Sequence, residues 1–239
     1  MSESVEKVNL YDHGPYHWFL PYFYARKYER ALELVAGLLK PADVVLDLGC
    51  GDGRRTALLA NRVHIIVGLD HQLLPLQFAR LLIKHSNVKL CCGDSTALLF
   101  RPEIFDAVTC FDVLEHIPQE KVSGLIMGVR HVLRPGGLFI VTTPNRDSLH
   151  NRLWGHRLNT KHYHEYNLSE LCDTLCAHGY VIEHQAGIYL PPPILQPYLE
   201  HYANIFPVKY AFLLLIRAGS RLPDWSEELM LVARRGDIR

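Results

Sequence analysis

The stretch Val-Val-Leu-Asp-Leu-Gly-Cys-Gly-Asp-Gly, residues 44–53, decides the fold class. Its first half is a continuous apolar run, which is typical of a strand buried on both faces of a parallel sheet. Its second half is rich in glycine and predicts a tight turn, and residues 54–61 then read as a helix. A turn with few side chains followed by the N–H groups of a helix N-terminus favours a ligand-binding site.

The alternation of strand and helix continues along the chain. Further strands are predicted over residues 63–69, 88–92, 105–110, 138–142, 180–187 and 229–234. Helices are predicted over residues 22–40, 54–61, 73–85 and 119–133, with a turn over 134–137. Another helix resumes at Ser169, whose position suits an N-cap. This order predicts an α/β fold with a seven-stranded, mostly parallel sheet and helices on both faces.

Length and composition limit the class of protein. The chain has 239 residues, of which 49% are hydrophobic, and this predicts one soluble globular domain. Lys plus Arg and Asp plus Glu are 25 each, so the zero net charge argues against a broad surface for nucleic acid. Neither a signal peptide nor an apolar run of 18 residues is found, which predicts a cytoplasmic protein. The six cysteines contain no C-x-x-C pair and are interpreted as reduced thiols.

The predicted single domain, residues 1–239, has four parts. Residues 1–40 form an aromatic cap, with eight aromatic side chains between Tyr11 and Tyr28. Residues 41–188 form the core, and residues 227–239 form the final strand and tail. Residues 189–226 are an apolar insertion with three consecutive prolines. The aromatic cap could cover a site or pack as ordinary core, and the insertion could line a pocket, form a dimer contact or touch lipid.

Three aspartates follow predicted strands at regular spacing. Asp47, Asp70 and Asp94 are 23 and 24 residues apart. The carboxyl ends of parallel strands share one edge of a sheet, where ligands bind, although a single aspartate at a strand end is usually a helix cap. The glycine pattern is G-x-G-x-G, whereas dinucleotide binding prefers G-x-G-x-x-G, and no Gly-Lys-Ser/Thr is present to form a P-loop.

Five segments in this order resemble the class I S-adenosylmethionine-dependent methyltransferases. They are LDLGCGDG (46–53), GLD (68–70), GD (93–94), FDAVTCFDVLEHI (105–117) and LRPGGLFIVTTPN (133–145). The resemblance is nearest to the O-methyltransferases of ubiquinone biosynthesis. It implies a Rossmann-like fold whose last strand is antiparallel.

The resemblance also implies a binding role for particular residues. The glycine turn would receive the methionine part of S-adenosylmethionine, Asp70 the ribose, and Asp94 with Ser95 the adenine. Cys110 and Phe111 would lie near the sulfonium. The residues of the glycine turn assigned in this way are Asp47, Gly49, Cys50, Gly51 and Gly53.

Two patches with histidines offer a base or a metal site. They are DVLEH, residues 112–116, and KHYHEY, residues 161–166, and His116 and His162 are the candidate bases. If residues 112–116 form a helical turn, Asp112, Glu115 and His116 share a face and could bind Mg²⁺ together with His162. Alternatively, Glu115 and His116 only form hydrogen bonds that fix the loop.

The predicted function is methyl transfer to a small molecule, most simply to the hydroxyl of an apolar or aromatic acceptor. Two alternatives remain open at this point. One is 2′-O-methylation of an RNA 3′ end, although the chain lacks an evident basic stripe. The other is a non-catalytic subunit that binds the cofactor. Contact with a membrane surface through the apolar insertion is also compatible with the sequence.

Overall fold

The computed structural model describes residues 14–19, 22–190, 202, 205 and 208–236. Within this part of the chain, seven strands form one sheet with the order β3-β2-β1-β4-β5-β7-β6. The strands are β1 Val44–Leu48, β2 Ile65–Asp70, β3 Val88–Cys92, β4 Phe105–Phe111, β5 Leu133–Pro144, β6 Tyr180–Gly187 and β7 Glu228–Arg235. Only β7 runs antiparallel to its neighbours. The predicted fold class is therefore confirmed.

Helices cover both faces of the sheet, as the continuous apolar strands predicted. They are α1 Tyr22–Ala36, α2 Arg54–Ala60, α3 Leu73–Leu82, α4 Gln119–Val132, α5 Leu149–Trp154, α6 Leu168–Ala177 and α7 Val208–Gly219. Buried side chains of α4 and α6, such as Leu125 and Leu171, form a core with one face of the sheet. Leu32 of α1 and Leu59 of α2 belong to a second core on the opposite face.

Two helices end earlier than predicted. Helix α1 stops at Ala36 rather than at residue 40, since Gly37 opens a turn before β1. Helix α3 stops at Leu82 rather than at residue 85, because Ile83 adopts an extended backbone with φ −79° and ψ 126°.

The two boundaries around β5 and α6 also differ from prediction. Strand β5 begins at Leu133, which pairs with Phe105, so the predicted turn over residues 134–137 lies inside the strand as an irregularity. Helix α6 is capped by Asn167, whose side-chain oxygen accepts the Glu170 amide at 2.9 Å. The prediction of Ser169 as the N-cap is wrong, because an asparagine two residues earlier already satisfies the helix N-terminus.

The described part of the N-terminal cap lies against the glycine turn. Residues Tyr16–Phe19 form a 3₁₀ helix in which the His17 amide donates to Asp52 Oδ2 at 2.6 Å. The Trp18 indole donates to the Asp52 carbonyl at 2.8 Å. Tyr11 and the side chains of Tyr22, Phe23, Tyr24 and Tyr28 lie outside the described residues. The prediction of an aromatic cover over the site therefore stays a prediction for them.

The insertion contributes helix α7 and the 3₁₀ turn Pro223–Trp225. Tyr210 and Leu214 of α7 are 60% and 65% exposed, and contact with lipid through this face stays a prediction. The three prolines, 191–193, lie outside the described residues. Among the described helices, none combines the length and the apolar character that crossing a membrane requires.

The end of β6 packs very closely against the end of α7, and this predicts a strong effect of Gly187→Ala. A Cβ at Gly187 would lie 2.1 Å from Ser226 Oγ and 2.6 Å from the Gly219 carbonyl oxygen. Because the backbone must shift, we expect Gly187→Ala to lower the free energy of unfolding by about 1–3 kcal/mol in urea denaturation. Gly124 lies on the exposed face of α4, where an added Cβ would meet nothing within 4 Å. Gly124→Ala should therefore raise the free energy of unfolding by about 0.5–1 kcal/mol. Equal stability of the two variants would contradict the close approach.

Candidate active site

The candidate site lies at the carboxyl edge of the sheet, where the strand order reverses. Strand β1 lies between β2 and β4, so the chain moves outward on one side through β3 and then returns to the other side. A crevice forms at such a switch point between the loops that leave the two central strands. The loops that follow β1 and β4 carry the glycine turn and the predicted acid–histidine patch.

The glycine turn is held by the end of β2. The amides of Gly49 and Cys50 both donate to the Leu69 carbonyl, at 2.8 and 3.0 Å. The Gly51 amide donates to Asp70 Oδ2 at 2.8 Å, and the Gln72 amide donates to Asp70 Oδ1 at the same distance. Asp70 therefore shapes the turn, while each carboxylate oxygen keeps a second lone pair that could accept a ligand hydroxyl.

Positive φ values explain the repeated glycines of this turn. Gly49, Gly51 and Gly53 have φ angles of 73°, 54° and 75°, which side chains with a Cβ rarely adopt. At Gly49 a Cβ would also lie 2.4 Å from Val113 Cγ2. The turn therefore brings bare backbone to the crevice.

Asp47 lies beneath the glycine turn and is held there by two hydroxyl groups. It is 2% exposed, and its carboxylate accepts hydrogen bonds from Thr56 Oγ1 at 2.6 Å and Thr109 Oγ1 at 2.8 Å. Burial raises the pKa of Asp47, although the two hydroxyl groups and Arg55 oppose that shift. Asp47, which is predicted from the sequence to belong to the cofactor site, thus lies beneath the glycine turn.

Asp94 differs from the other two strand-end acids because it is exposed to solvent, and Ser95 beside it is half-buried. Asp94 Oδ1 accepts hydrogen bonds from the Thr96 amide and the Thr96 hydroxyl, both at 2.8 Å. These bonds hold the pKa of Asp94 below its usual range. Asp94 is therefore an ionised carboxylate that is open to solvent just after β3.

The end of β4 is buried. Cys110 is fully buried, and burial raises the pKa of its thiol well above the ordinary value, so the thiol stays protonated. Phe111 is 5% exposed, and the Arg55 guanidinium lies 4.8 Å from its ring centroid. Cys50 in the glycine turn is also buried, with the pKa raised for the same reason.

Asp112 does not join the predicted metal ligands. It adopts a positive φ of 57°, so the helical turn assumed for residues 112–116 is limited to Leu114–His116. Its Oδ2 pairs with Arg55 Nη2 at 2.7 Å, and its Oδ1 accepts from Thr142 Oγ1 at 2.7 Å. Burial raises the pKa of Asp112, but Arg55 and Thr142 outweigh it, and the net pKa is lowered.

Glu115, His116 and His162 do come together. One ligand atom from each lies within 4.8 Å of the others, and the two imidazole rings meet edge to face at a centroid distance of 4.8 Å. The Tyr163 amide donates to the Glu115 carbonyl at 2.7 Å, which fixes the second patch against the first. The predicted meeting of these two distant patches is therefore seen in the structure.

The donor set of this cluster does not fit Mg²⁺. Two imidazoles and one carboxylate suit transition metals, whereas Mg²⁺ prefers an octahedron of oxygen ligands. Glu115 is 1% exposed and accepts a hydrogen bond from Thr143 Oγ1 at 2.9 Å. Burial, aided by the charge of Asp112, raises its pKa well above the usual range, so its neutral form is favoured. This cluster is therefore not suited to Mg²⁺.

Glu165 belongs to the predicted patch of residues 161–166, but no role of its own is predicted for it from the sequence. Its Oε1 lies 2.6 Å from His162 Nδ1, and its Oε2 lies 2.7 Å from His156 Nε2. Burial raises the pKa of Glu165, but the bonds from His156, His162 and the Asn159 amide outweigh it and hold the pKa below its usual range. An ionised, buried carboxylate thus contacts His162 at Nδ1.

A cavity of about 250 Å³ lies beside Glu165, between the end of β5 and the start of β7. Its lining residues are Pro144, Asn145, Ser148, His150, Asn151, Glu165, Glu227 and Glu228. Its wall is rich in hydrogen-bond acceptors, which suits a ligand that carries donors.

Residues 45–137 match the family model of the methyltransferase domain. Over this segment the chain is similar to methyltransferases. It is 27% identical over 214 residues to a probable S-adenosylmethionine-dependent methyltransferase of Mycolicibacterium smegmatis, covering 90% of this chain and 76% of the relative. The resemblance and enzyme class predicted from the sequence are confirmed by these matches.

Other similar proteins are named for methyl transfer to different atoms. The ubiquinone biosynthesis O-methyltransferase of Serratia proteamaculans is 34% identical, but the match spans only 44% of each chain. The solved N-methyltransferase NodS of Bradyrhizobium japonicum has a TM-score of 0.65 at 16% identity, covering 96% of this chain and 95% of its own. That likeness supports the fold of the methyltransferase and leaves the acceptor atom open.

The raised pKa of Glu115 predicts a pH-dependent stability. Above its ordinary pKa of 4.5, the unfolded chain releases a proton that folded Glu115 keeps. The free energy of unfolding should therefore fall as pH rises from this value through the folded pKa, by up to about 1.4 kcal/mol per pH unit. We expect Glu115→Gln to remove this slope in urea denaturation between about pH 5 and 8. The exposed Glu120→Gln should retain it, and identical slopes in wild type and Glu115→Gln would refute the raised pKa.

Proposed function

We propose that this methyltransferase transfers the methyl group of S-adenosylmethionine to a hydroxyl group of a small, apolar or aromatic molecule, with His162 as the general base. The observation that carries the proposal is the contact of His162 Nδ1 with the ionised Glu165. Since a carboxylate only accepts hydrogen bonds, Nδ1 carries the hydrogen, and in the neutral ring Nε2 carries the lone pair. An imidazole prepared in this way can remove a hydroxyl proton.

The carboxyl edge fits the cofactor through its backbone and its acids. Bare glycine backbone lines the turn, and Asp70 and Asp94 are aligned at the ends of adjacent strands. Asp70 would accept the ribose hydroxyls, and Asp94 with Ser95 would receive the adenine. When bound, S-adenosylmethionine supplies a methyl group on a cationic sulfur that becomes neutral as the methyl leaves.

His162 is a better candidate base than His116. His116 Nδ1 lies 3.1 Å from the Lys161 carbonyl, a neutral partner, whereas His162 faces a charge. The Glu165 carboxylate stabilises the imidazolium that forms when His162 Nε2 takes the hydroxyl proton. The acceptor oxygen then forms its bond to the methyl carbon, and the proton stays on His162 until solvent removes it. His116, edge to face with His162, would help to orient the ring.

Exposed apolar side chains of α5 and of the loop that follows it support an apolar acceptor. Leu153 and Trp154 of α5 are 59% and 54% exposed, and Leu158 and Tyr163 of the following loop are 47% and 54% exposed. Helix α5 also borders the cavity through Ser148 and Asn151. An acceptor could rest its apolar body on these side chains while its hydroxyl contacts His162 Nε2.

The assignment of Asp94 to the adenine predicts a specific loss of cofactor affinity. We expect Asp94→Ala to weaken S-adenosylhomocysteine binding about tenfold in calorimetry, because a hydrogen bond to a charged group is lost. Asp43→Ala is the matched control: Asp43 also caps a turn, accepting the Lys40 amide at 2.8 Å, but at the opposite edge of the sheet. Unchanged affinity in Asp94→Ala, or an equal loss in both variants, would argue against this assignment.

The base role of His162 is tested with acceptors of different acidity. Release of S-adenosylhomocysteine is measured with alkyl phenols and catechols, and with 4-nitrophenol, which is largely ionised at mildly alkaline pH. We expect His162→Gln to reduce kcat about 10²- to 10⁴-fold on the weakly acidic phenols and much less on 4-nitrophenol. The ring of His164 pairs with Glu170 instead of Glu165. The control variant His164→Gln should therefore retain activity.

Two results would overturn the proposal. An equal loss on all phenols would remove His162 from the role of base. Methyl transfer only to primary amines, or only to an RNA 3′ end, in the same assay would change the acceptor class.

A further inference from the structure

A single carboxylate connects the candidate base to a second histidine. Glu165 is 7% exposed and contacts His162 through one oxygen at 2.6 Å and His156 through the other at 2.7 Å. The side chain of His162 is 10% exposed and that of His156 is 26% exposed. The bridge therefore runs from the protected ring of the site to a ring nearer the solvent.

The bridge fixes opposite tautomers on its two histidines. Both oxygens of an ionised carboxylate accept, so each ring nitrogen that faces Glu165 must carry a hydrogen. His162 is then an Nδ1–H imidazole, and His156 is an Nε2–H imidazole. Only the first of these places a lone pair on Nε2.

Backbone contacts prevent Glu165 from turning away. The Asn159 amide lies 3.4 Å from Glu165 Oε1, and Arg146 Nη1 lies 3.3 Å from the Glu165 carbonyl. The next residue, Tyr166, bridges to Asn145 at the end of β5 and is 2% exposed. The main chain at Glu165 is thus held next to the end of β5, while its carboxylate contacts the two rings and the Asn159 amide.

We propose that Glu165 is a positioning residue for methyl transfer, which holds His162 in the Nδ1–H tautomer and is itself held in place by His156. This inference rests on the proposed function of His162 as the base. The role differs from simple structural support because it concerns which nitrogen of one ring carries the hydrogen. A carboxylate behind an imidazole serves this purpose in other base-assisted sites.

The tautomers can be measured without any acceptor. Nitrogen NMR of the protein labelled with ¹⁵N-histidine should show His162 as Nδ1–H and both His156 and His164 as Nε2–H. In Glu165→Ala, His162 and His156 should move to the tautomer mixture of free histidine, while His164 should not change. In Glu170→Ala, the matched control, only His164 should change, since its Nε2 contacts Glu170 at 2.6 Å. An Nε2–H form of His162 in wild type, or no change in Glu165→Ala, would overturn the inference.

A milder variant covers the case in which Glu165→Ala does not fold. Glu165→Gln keeps the shape but offers only one accepting oxygen, so at least one of His156 and His162 must lose its tautomer. Cofactor affinity measured by calorimetry shows that the variant is folded. Retention of both tautomers in a folded Glu165→Gln would equally overturn the inference.

Kinetics separate positioning from substrate binding. We expect Glu165→Gln to lower kcat at least tenfold on alkyl phenols and to leave their KM within about twofold, while His156→Ala has a smaller effect on kcat. An unchanged kcat in Glu165→Gln would contradict a positioning role. If the wild-type protein methylates none of the phenols, the proposed function fails, and the NMR tautomers still decide whether Glu165 sets the ring of His162.

Discussion

The hydrogen bond from the Gly51 amide to Asp70 is the interaction on which the candidate site depends. It joins the turn after β1 to the end of β2, and the Leu69 carbonyl adds the amides of Gly49 and Cys50. The turn in turn sets where α2 begins, and α2 carries Arg55 to its partner Asp112 at the end of β4. A single carboxylate at the sheet edge therefore influences both the cofactor side and the loop that leads to Glu115.

The two sides of the site are built by different kinds of contact. On the cofactor side, the acids follow strands at regular spacing, and short turns position them. On the acceptor side, Glu115 meets Tyr163 through their backbones, and His162 meets Glu165 within an irregular loop. The carboxylates there also differ in charge, because desolvation raises the pKa of Glu115 while two histidines lower that of Glu165. An ionised acid thus contacts His162, the proposed base, and the neutral form of Glu115 is favoured nearby.

The sequence predicted the cofactor side better than the acceptor side, and the reason is periodicity. Continuous apolar strands and positive-φ glycines leave a regular pattern, so all seven strands and the glycine turn were predicted. Asp112 was misassigned because its spacing to Glu115 assumed a helix that its positive φ breaks. Glu165 was missed, although the H-x-x-E spacing from His162 was a usable signal. His156 left no signal, since it lies nine positions before Glu165 in an irregular loop.

The loop that carries His162 is attached mainly through main-chain groups. The amides of Tyr163 and His164 donate to the Glu115 carbonyl, and the Arg146 amide donates to the Tyr166 carbonyl. Main-chain contacts survive most side-chain exchanges, and the side chain of Leu158 in this loop is 47% exposed. The exposed positions of this loop, such as Leu158, can therefore diverge rapidly among descendants of the protein while His156, His162 and Glu165 are retained. They are also the natural positions to randomise when a new methyl acceptor is sought by directed evolution.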